Sequence, residues 1–339
     1  MSDKSGIFLS SENNNLTIRK PAFCCIGVSL KCILRCKMCS IWKNDFTQMP
    51  GEPTLKEWYR FIDQLGSLTN NSVVINIAGG EPLLDDRNLA LINFSAKRGL
   101  VTSMPTNGFL IDRQMAQKIS ESCLHEIEVS LDGINKNTHD FLRGVEGCYE
   151  KAIQAIDHLH SCRDKLKIAI IAIILGKNLD EITQLAEFAN KDKRIETIIF
   201  QAVAQPFNTP LDHEWYKKSA YRFLWPGDLK KVCSVIDELM KLKKIGYKIS
   251  NPLSQLEVFK RYFADPDDFI KAVSCNIDFY MNINEFGDVY MCPRKKAVGN
   301  IKKDSVKDIW YGQTANKIRE EIRSCRVNCH HLLNCCYEE

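Results

Sequence analysis

No apolar run in this chain of 339 residues is long enough to cross a bilayer. The longest, IAIIAIIL at 168–175, has 8 residues, against the ~20 a spanning helix needs. It reads instead as a buried parallel strand. The amino end, MSDKSGIFLSSENNN, lacks an apolar signal segment. An excess of one charge is also missing. The 46 Lys and Arg against 42 Asp and Glu leave +4, and no basic run suits a nucleic-acid surface. These absences point to a cytoplasmic protein with neither a membrane nor a nucleic acid as partner. A hydrophobic share of 45% supplies ample core for one large domain and a smaller one.

What the chain does have is cysteine, 15 of them. Stable disulfides are rare in a reducing cytosol, so this number points to metal or redox chemistry. Cys24, Cys25, Cys32, Cys36 and Cys39 gather near the start, and Cys275, Cys292, Cys325, Cys329, Cys335 and Cys336 near the end. Cys123, Cys148, Cys162 and Cys233 lie between, on helix- or turn-like segments, and read as small buried hydrophobes.

Between the two groups, apolar strands alternate with amphipathic helices six times. The strands are FCCIGVSL, SVVINIAG, LVTSMPTNG, EIEVSLDG, KLKIAIIAIIL and IETIIFQAVA. Such alternation implies parallel strands with right-handed crossovers. Six units fall short of a closed eight-unit barrel. The expected fold is α/β: a partial (β/α)6 TIM-like barrel with a small C-terminal hairpin-plus-helix domain. The expected division is a polar segment at 1–21, the barrel at 22–205, a bridging or substrate-covering segment at 206–270 and the tail at 271–339. Ligands gather at the carboxyl ends of parallel strands. There the sequence places GGEPLL (79–84), PTNG (105–108) and SLDG (130–133), the last followed by HDFLRG. The three-cysteine loop follows the first strand. In 206–270, Asp212, His213, Glu214, Trp215 and Tyr216 are candidates to touch substrate or an ordinary surface loop. Trp42 and Trp58 read as packing residues.

Three thiolates from one loop suit three irons of a cubane cluster, whose fourth iron stays free for a small molecule. Structural zinc would want four ligands, usually in close pairs. CILRCKMC, with Cys-x3-Cys-x2-Cys spacing, together with GGEPL, TNG and SLDG at strand ends, resembles the radical S-adenosylmethionine (radical SAM) superfamily over about residues 22–205. The resemblance implies that Cys32, Cys36 and Cys39 ligate a catalytic [4Fe–4S] cluster. It further implies cofactor contacts. Met38 would lie by the adenine, and Gly79, Gly80 and Glu81 would meet the methionine ammonium. Thr106 and Asn107 sit at a strand end that contacts the cofactor. Ser130 and Asp132 would reach the ribose or the carboxylate, and Arg143 would pair with the carboxylate.

The tail is similar to the auxiliary-cluster extension called SPASM, or its shorter twitch form. It has Cys275, a hairpin with Gly287-x4-Cys292, Gly299-Asn300, and a closing group of cysteines. The chain departs from the pattern in having Cys325-x3-Cys329 and no further hairpin cysteine. One auxiliary [4Fe–4S] cluster is therefore expected. Cys275 and Cys292 are its firm ligands, Cys325 and Cys329 the preferred partners, Cys335 a substitute and Cys336 a weaker one. Zinc is the competing occupant. His330 and His331 are left out, because neighbouring histidines do not readily point the same way.

The resemblance implies reductive cleavage of S-adenosylmethionine to methionine and a 5′-deoxyadenosyl radical. That radical takes a hydrogen atom from substrate, and a flavodoxin- or ferredoxin-type donor supplies electrons. The outcome would be oxidation, epimerisation or cross-linking. About 22 residues precede the first strand, too few for a folded recognition domain. This tilts the expectation towards a small molecule, sugar- or aminocyclitol-like, over a peptide or protein side chain. A non-enzymatic iron–sulfur or zinc protein would not need the glycine-rich strand ends.

Overall fold

The first strand, β1 (Phe23–Ser29), alternates fully buried Cys24, Ile26 and Val28 with half-buried Phe23, Cys25, Gly27 and Ser29. One face therefore meets a helix layer and the other an inner, less covered side. The same logic builds β2 (Val74–Gly79), β3 (Val101–Thr106), β4 (Glu126–Ser130), β5 (Lys167–Ile174) and β6 (Thr197–Ala202). The computed structural model describes residues 18–44, 51–162, 165–267, 275, 277–327 and 329–335.

Helix α1 (Leu55–Thr69) shows why the helix layer forms. Thr54 and Glu57 make a reciprocal capping box, and Trp58, Phe61, Ile62 and Leu65 face the sheet. Helices α2 (Arg87–Lys97), α3 (Arg113–Glu121), α4 (Lys136–Arg143), α5 (Cys148–Cys162) and α6 (Leu179–Lys191) follow their strands in turn.

Strands β1 to β6 are parallel and lie side by side in chain order, as a partial barrel requires. The hairpin of the tail, β7 (Tyr280–Ile283) and β8 (Asp288–Tyr290), does not stand apart. β7 pairs in parallel with the free edge of β1, with Phe23 opposite Tyr280 and Cys25 opposite Asn282. The short β9 (Gly299–Asn300) extends the same sheet.

The opposite edge, at β6, is closed by a short backbone bridge between Ile198 and Ile249 and, further along, by side chains. Asn251 exchanges two hydrogen bonds with the backbone of Phe200, at 2.7 and 2.8 Å. Asn334 does the same with Ala202, at 2.8 and 2.9 Å. An amide carries the donor and acceptor of a peptide group, so it mimics a strand and blunts an edge that would otherwise invite pairing. Among the described residues the remaining α-helices are α7 (Trp215–Lys218), α8 (Leu229–Lys244), α9 (Leu253–Ala264), α10 (Val306–Tyr311), α11 (Gln313–Arg323) and α12 (His330–Asn334). The tail thus reaches both edges of the barrel sheet, through β7 at one and Asn334 at the other. Among the described residues no helix is long and apolar enough to cross a membrane.

Candidate functional site

The loop carrying Cys32, Cys36 and Cys39 leaves β1 and is held by backbone bonds from three directions. Gly80 N donates to Ser29 O at 3.1 Å and Glu81 N to Lys31 O at 2.8 Å. Arg35 N and Lys37 N donate to the carbonyls of Arg143 and Leu142, at the carboxyl end of α4, at 3.1 and 2.8 Å. Ser40 N donates to Phe207 O at 2.9 Å, and Cys39 pairs with Phe207 in an isolated bridge. Two glycine positions make this approach possible. A Cβ on Gly79 would stand 2.3 Å from Ser29 O and one on Gly80 2.1 Å from Lys31 O. Gly144 ends α4 at φ +72, and a Cβ there would stand 2.2 Å from Arg35 O.

The three thiols are near enough to feel one another's charge. Burial pushes all three up, Cys39 to about 11, while the Arg143 guanidinium opposes the shift. Arg143 also hydrogen-bonds the Cys36 sulfur. Its Nη2 lies 2.7 Å from Asp132 Oδ2, and Asp132 Oδ1 accepts from Ile173 N at 2.9 Å. Asp132 is fully enclosed and Arg143 nearly so, yet among the described residues Arg143 Nε has no hydrogen-bond partner. An unspent donor on a buried cation beside three thiols fits an anionic cluster with a carboxylate-bearing ligand.

The expected cofactor contacts separate into two kinds. Glu81 is buried, and its carboxylate is engaged by internal donors: Thr106 Oγ1 at 2.8 Å, Asn107 N at 2.9 Å and Leu83 N at 3.3 Å. Burial raises its pKa and these bonds pull it back. Asp132 is likewise fully enclosed and serves Arg143 and Ile173. Glu81 and Asp132 thus tie strand ends together and aim their neighbours. Gly79 and Gly80 line the β2 end, Thr106 and Asn107 the β3 end and Ser130 the β4 end, while Met38 packs into the core beneath the cysteine loop. The structure brings all of these to the side of the sheet where the strands have their carboxyl ends.

Two residues of this network went unread in the sequence. Asn178 donates to the carbonyls of Asp132 and Ile173 at 2.7 and 2.8 Å and accepts from Leu175 N at 2.8 Å. His139 Nδ1 accepts from Asp132 N at 3.1 Å, and burial, with Arg143 nearby, lowers its pKa to about 3, which keeps the ring neutral. His139 begins the HDFLRG stretch, which was a usable signal; Asn178 carried none.

In the covering segment, Trp215 and Tyr216 are buried against Trp225 and belong to the core, not to a substrate-facing surface. Asp212, His213 and Glu214 are exposed, with Glu214 paired to Lys217 and Lys218. Trp42 donates its indole N–H to Cys39 O at 2.9 Å and so braces the loop, whereas Trp58 is a core residue.

In the tail, Cys275, Cys292, Cys325 and Cys329 lie within one another's electrostatic reach, and burial lifts Cys275 to about 12. Among the described residues no three His, Cys, Asp or Glu side chains converge on a single ion position. Cys335 is the residue that caps the carboxyl end of α12. Cys336 lies outside the described residues. His330 and His331 have rings at 88°, and His330 packs on Phe207 at 4.8 Å.

The radical SAM superfamily model matches residues 26–189, and the iron–sulfur cluster-binding SPASM model matches 275–331. The Fe-coproporphyrin III synthase of Methanosarcina barkeri is 32% identical over 168 residues, covering 49% of this chain and 40% of its own. The AdoMet-dependent heme synthase of that organism is 23% identical over 299 residues, covering 84% of this chain and 82% of its own. Among solved structures, Streptococcus suis SuiB bound to the precursor peptide SuiA aligns with a TM-score of 0.66 at 18% identity, over 94% of this chain and 72% of SuiB. The chain is a radical SAM superfamily enzyme with a C-terminal SPASM iron–sulfur domain, and its cofactors are a [4Fe–4S] cluster, S-adenosylmethionine and an auxiliary iron–sulfur cluster.

Proposed function

We propose that this enzyme takes a hydrogen atom from a C–H bond of a small polar molecule and oxidises it. When bound and reduced, the cluster would supply the electron for cleavage of S-adenosylmethionine to methionine and a 5′-deoxyadenosyl radical. The protein's own work is positional. Cys32, Cys36 and Cys39 hold the cluster. Arg143, aimed by Asp132, receives a carboxylate. The β2 and β3 ends, tied by Glu81, present Gly79, Gly80, Thr106 and Asn107 to the cofactor, with Ser130 and Met38 completing the wall. Cys275, Cys292, Cys325 and Cys329 would hold the auxiliary cluster, which would supply an acceptor for the electron as the oxidised substrate gives up a proton to solvent. A flavodoxin- or ferredoxin-type protein supplies the electron to the first cluster.

The observation that supports a small substrate is the lacing of the covering segment to the cysteine loop. Ser40 N bonds Phe207 O, Ser40 Oγ lies 3.2 Å from Tyr221 OH, and Asn208 Nδ2 donates to Ser40 O at 3.3 Å. An enclosed site excludes water from a radical and suits a compact molecule. A peptide or protein side chain is the alternative substrate, supported at the level of fold by the SuiB–SuiA complex.

The test uses an extract of the source organism grown in deuterated water, separated into fractions below 1 kDa and above 3 kDa. Reduced enzyme and S-adenosylmethionine should yield deuterated 5′-deoxyadenosine with the small fraction. Label from the large fraction alone would overturn the small-molecule reading in favour of a peptide or protein.

A further inference from the structure

The inner face of the barrel carries a carboxylate that the cofactor site does not use. Glu128 lies on β4 two residues before Ser130 and on the same face, about 7 Å deeper into the barrel. It pairs across the sheet with Pro105 and Ala169, and Ala169 with Thr197. On β1 and β2 the same face presents Gly27 opposite Ala78. Around Glu128 the wall is therefore built from small side chains.

Gly27 is informative here. Its φ is not positive, and a Cβ on it would meet nothing closer than Ile283 O at 3.5 Å. Unlike Gly79 and Gly80, no backbone contact demands a glycine. Its missing side chain leaves room inside the barrel.

Glu128 makes no hydrogen bond or ion pair among the described residues, and it is half-buried. Its charge is felt by Cys25 on β1, so the carboxylate looks across the inner face. Burial, and then the charge of Glu126, raise its carboxyl to about 7. Lys167, whose charge Glu126 does feel, stands exposed at the start of β5. Below, Asn76 donates to Ser103 Oγ at 2.8 Å, and Asn282 Nδ2 is buried with no partner among the described residues. An unpaired carboxylate above a polar floor with an unspent amide donor has the chemistry of a site for a compact, hydroxylated amine.

We propose that Glu128 binds a protonated amine of the substrate, which sits in the space at the level of Gly27, Ala78 and Ala169. This rests on the small-molecule reading above and names its chemical class. An ammonium against a partly desolvated carboxylate forms a charge-assisted bond and fixes which C–H bond faces the strand ends.

The test passes the deuterated fraction below 1 kDa over a cation exchanger at pH 7. The retained material should label 5′-deoxyadenosine with the wild-type enzyme. Glu128→Gln should lower that label at least tenfold. Gly27→Val, which fills the space without touching the charge, should lower it as well. Iron content and melting temperature establish that each variant is folded, and should Glu128→Gln not fold, Gly27→Val decides. Label only from the unretained material overturns the amine and leaves the small-molecule reading standing. Undiminished label in folded Glu128→Gln overturns the role of Glu128. Label only from the fraction above 3 kDa, or from none, means that the underlying reading has failed.

Discussion

Arg143 and Asp132 form an ion pair at 2.7 Å in which the carboxylate side chain has no solvent exposure and the guanidinium almost none. The pair lies directly under the cysteine loop, whose Arg35 N–H bonds the Arg143 carbonyl. Removing one member of a buried pair strands the other. Asp132→Ala should destabilise the protein by about 3–5 kcal/mol, read as a lower melting temperature, and should misdirect Arg143. Arg143→Ala should weaken S-adenosylmethionine binding roughly tenfold, for a lost charge-assisted bond of about 1.5–3 kcal/mol. Calorimetric titration of the cofactor checks this, and unchanged affinity would remove Arg143 from the site.

Glu81→Gln should be unexpectedly harmful for so conservative a change. Both carboxylate oxygens accept from backbone N–H groups, those of Leu83 and Asn107. Whichever way the amide turns, its NH2 faces one of those donors. The cost should be about 1–3 kcal/mol, as for a buried group left unsatisfied. Thermal melting of the variant beside wild type measures it, and an unchanged melting temperature would contradict the assigned bonds.

Much of this was legible in the sequence because it was local. Alternating apolar strands and amphipathic helices have periods that a single segment displays, and the strand-end motifs follow directly from that order. The cysteine groups stood out by spacing alone. What stayed hidden depends on contacts between distant segments. Nothing around Tyr280 says that β7 will pair with β1, and nothing around Asn251 or Asn334 says that their amides will cap β6. Trp215 and Tyr216, set among charged neighbours, read as surface, yet Trp225 and Tyr262 draw that stretch into the core. Glu81 and Asp132 carried the right motifs, but only the structure shows that their oxygens are engaged inside the protein.

The latch at the β6 edge predicts a specific weakness. Asn334→Ala strands the N–H and C=O of Ala202 and releases α12 from the barrel. The cost should be about 1–3 kcal/mol. Limited proteolysis should then cut the tail faster than in wild type; equal rates would mean that the latch carries no load.

Glu128 predicts a pH signature. The folded protein keeps this proton until about pH 7, whereas an unperturbed glutamate gives it up near 4.5. Between those values the folded state binds the extra proton, so stability falls as pH rises through the window. Glu128→Gln removes the penalty. The variant should match wild type near pH 4.5 and exceed it above pH 7, by on the order of 3 kcal/mol. Melting curves across pH 5 to 8 test this, and a gap that does not widen with pH would show the carboxylate to be ordinarily solvated.

The central claim is that the loop of Cys32, Cys36 and Cys39 supports reductive cleavage of S-adenosylmethionine. The direct measurement is mass-spectrometric quantification of 5′-deoxyadenosine and methionine from anaerobically reconstituted, dithionite-reduced protein holding about eight iron atoms, four per cluster. The account predicts both products in equal amounts from wild type. It predicts none from the Cys32→Ala, Cys36→Ala, Cys39→Ala triple variant, which should retain about half the iron in its tail. Intact S-adenosylmethionine after incubation with fully loaded wild type, or undiminished cleavage by the triple variant, would contradict it.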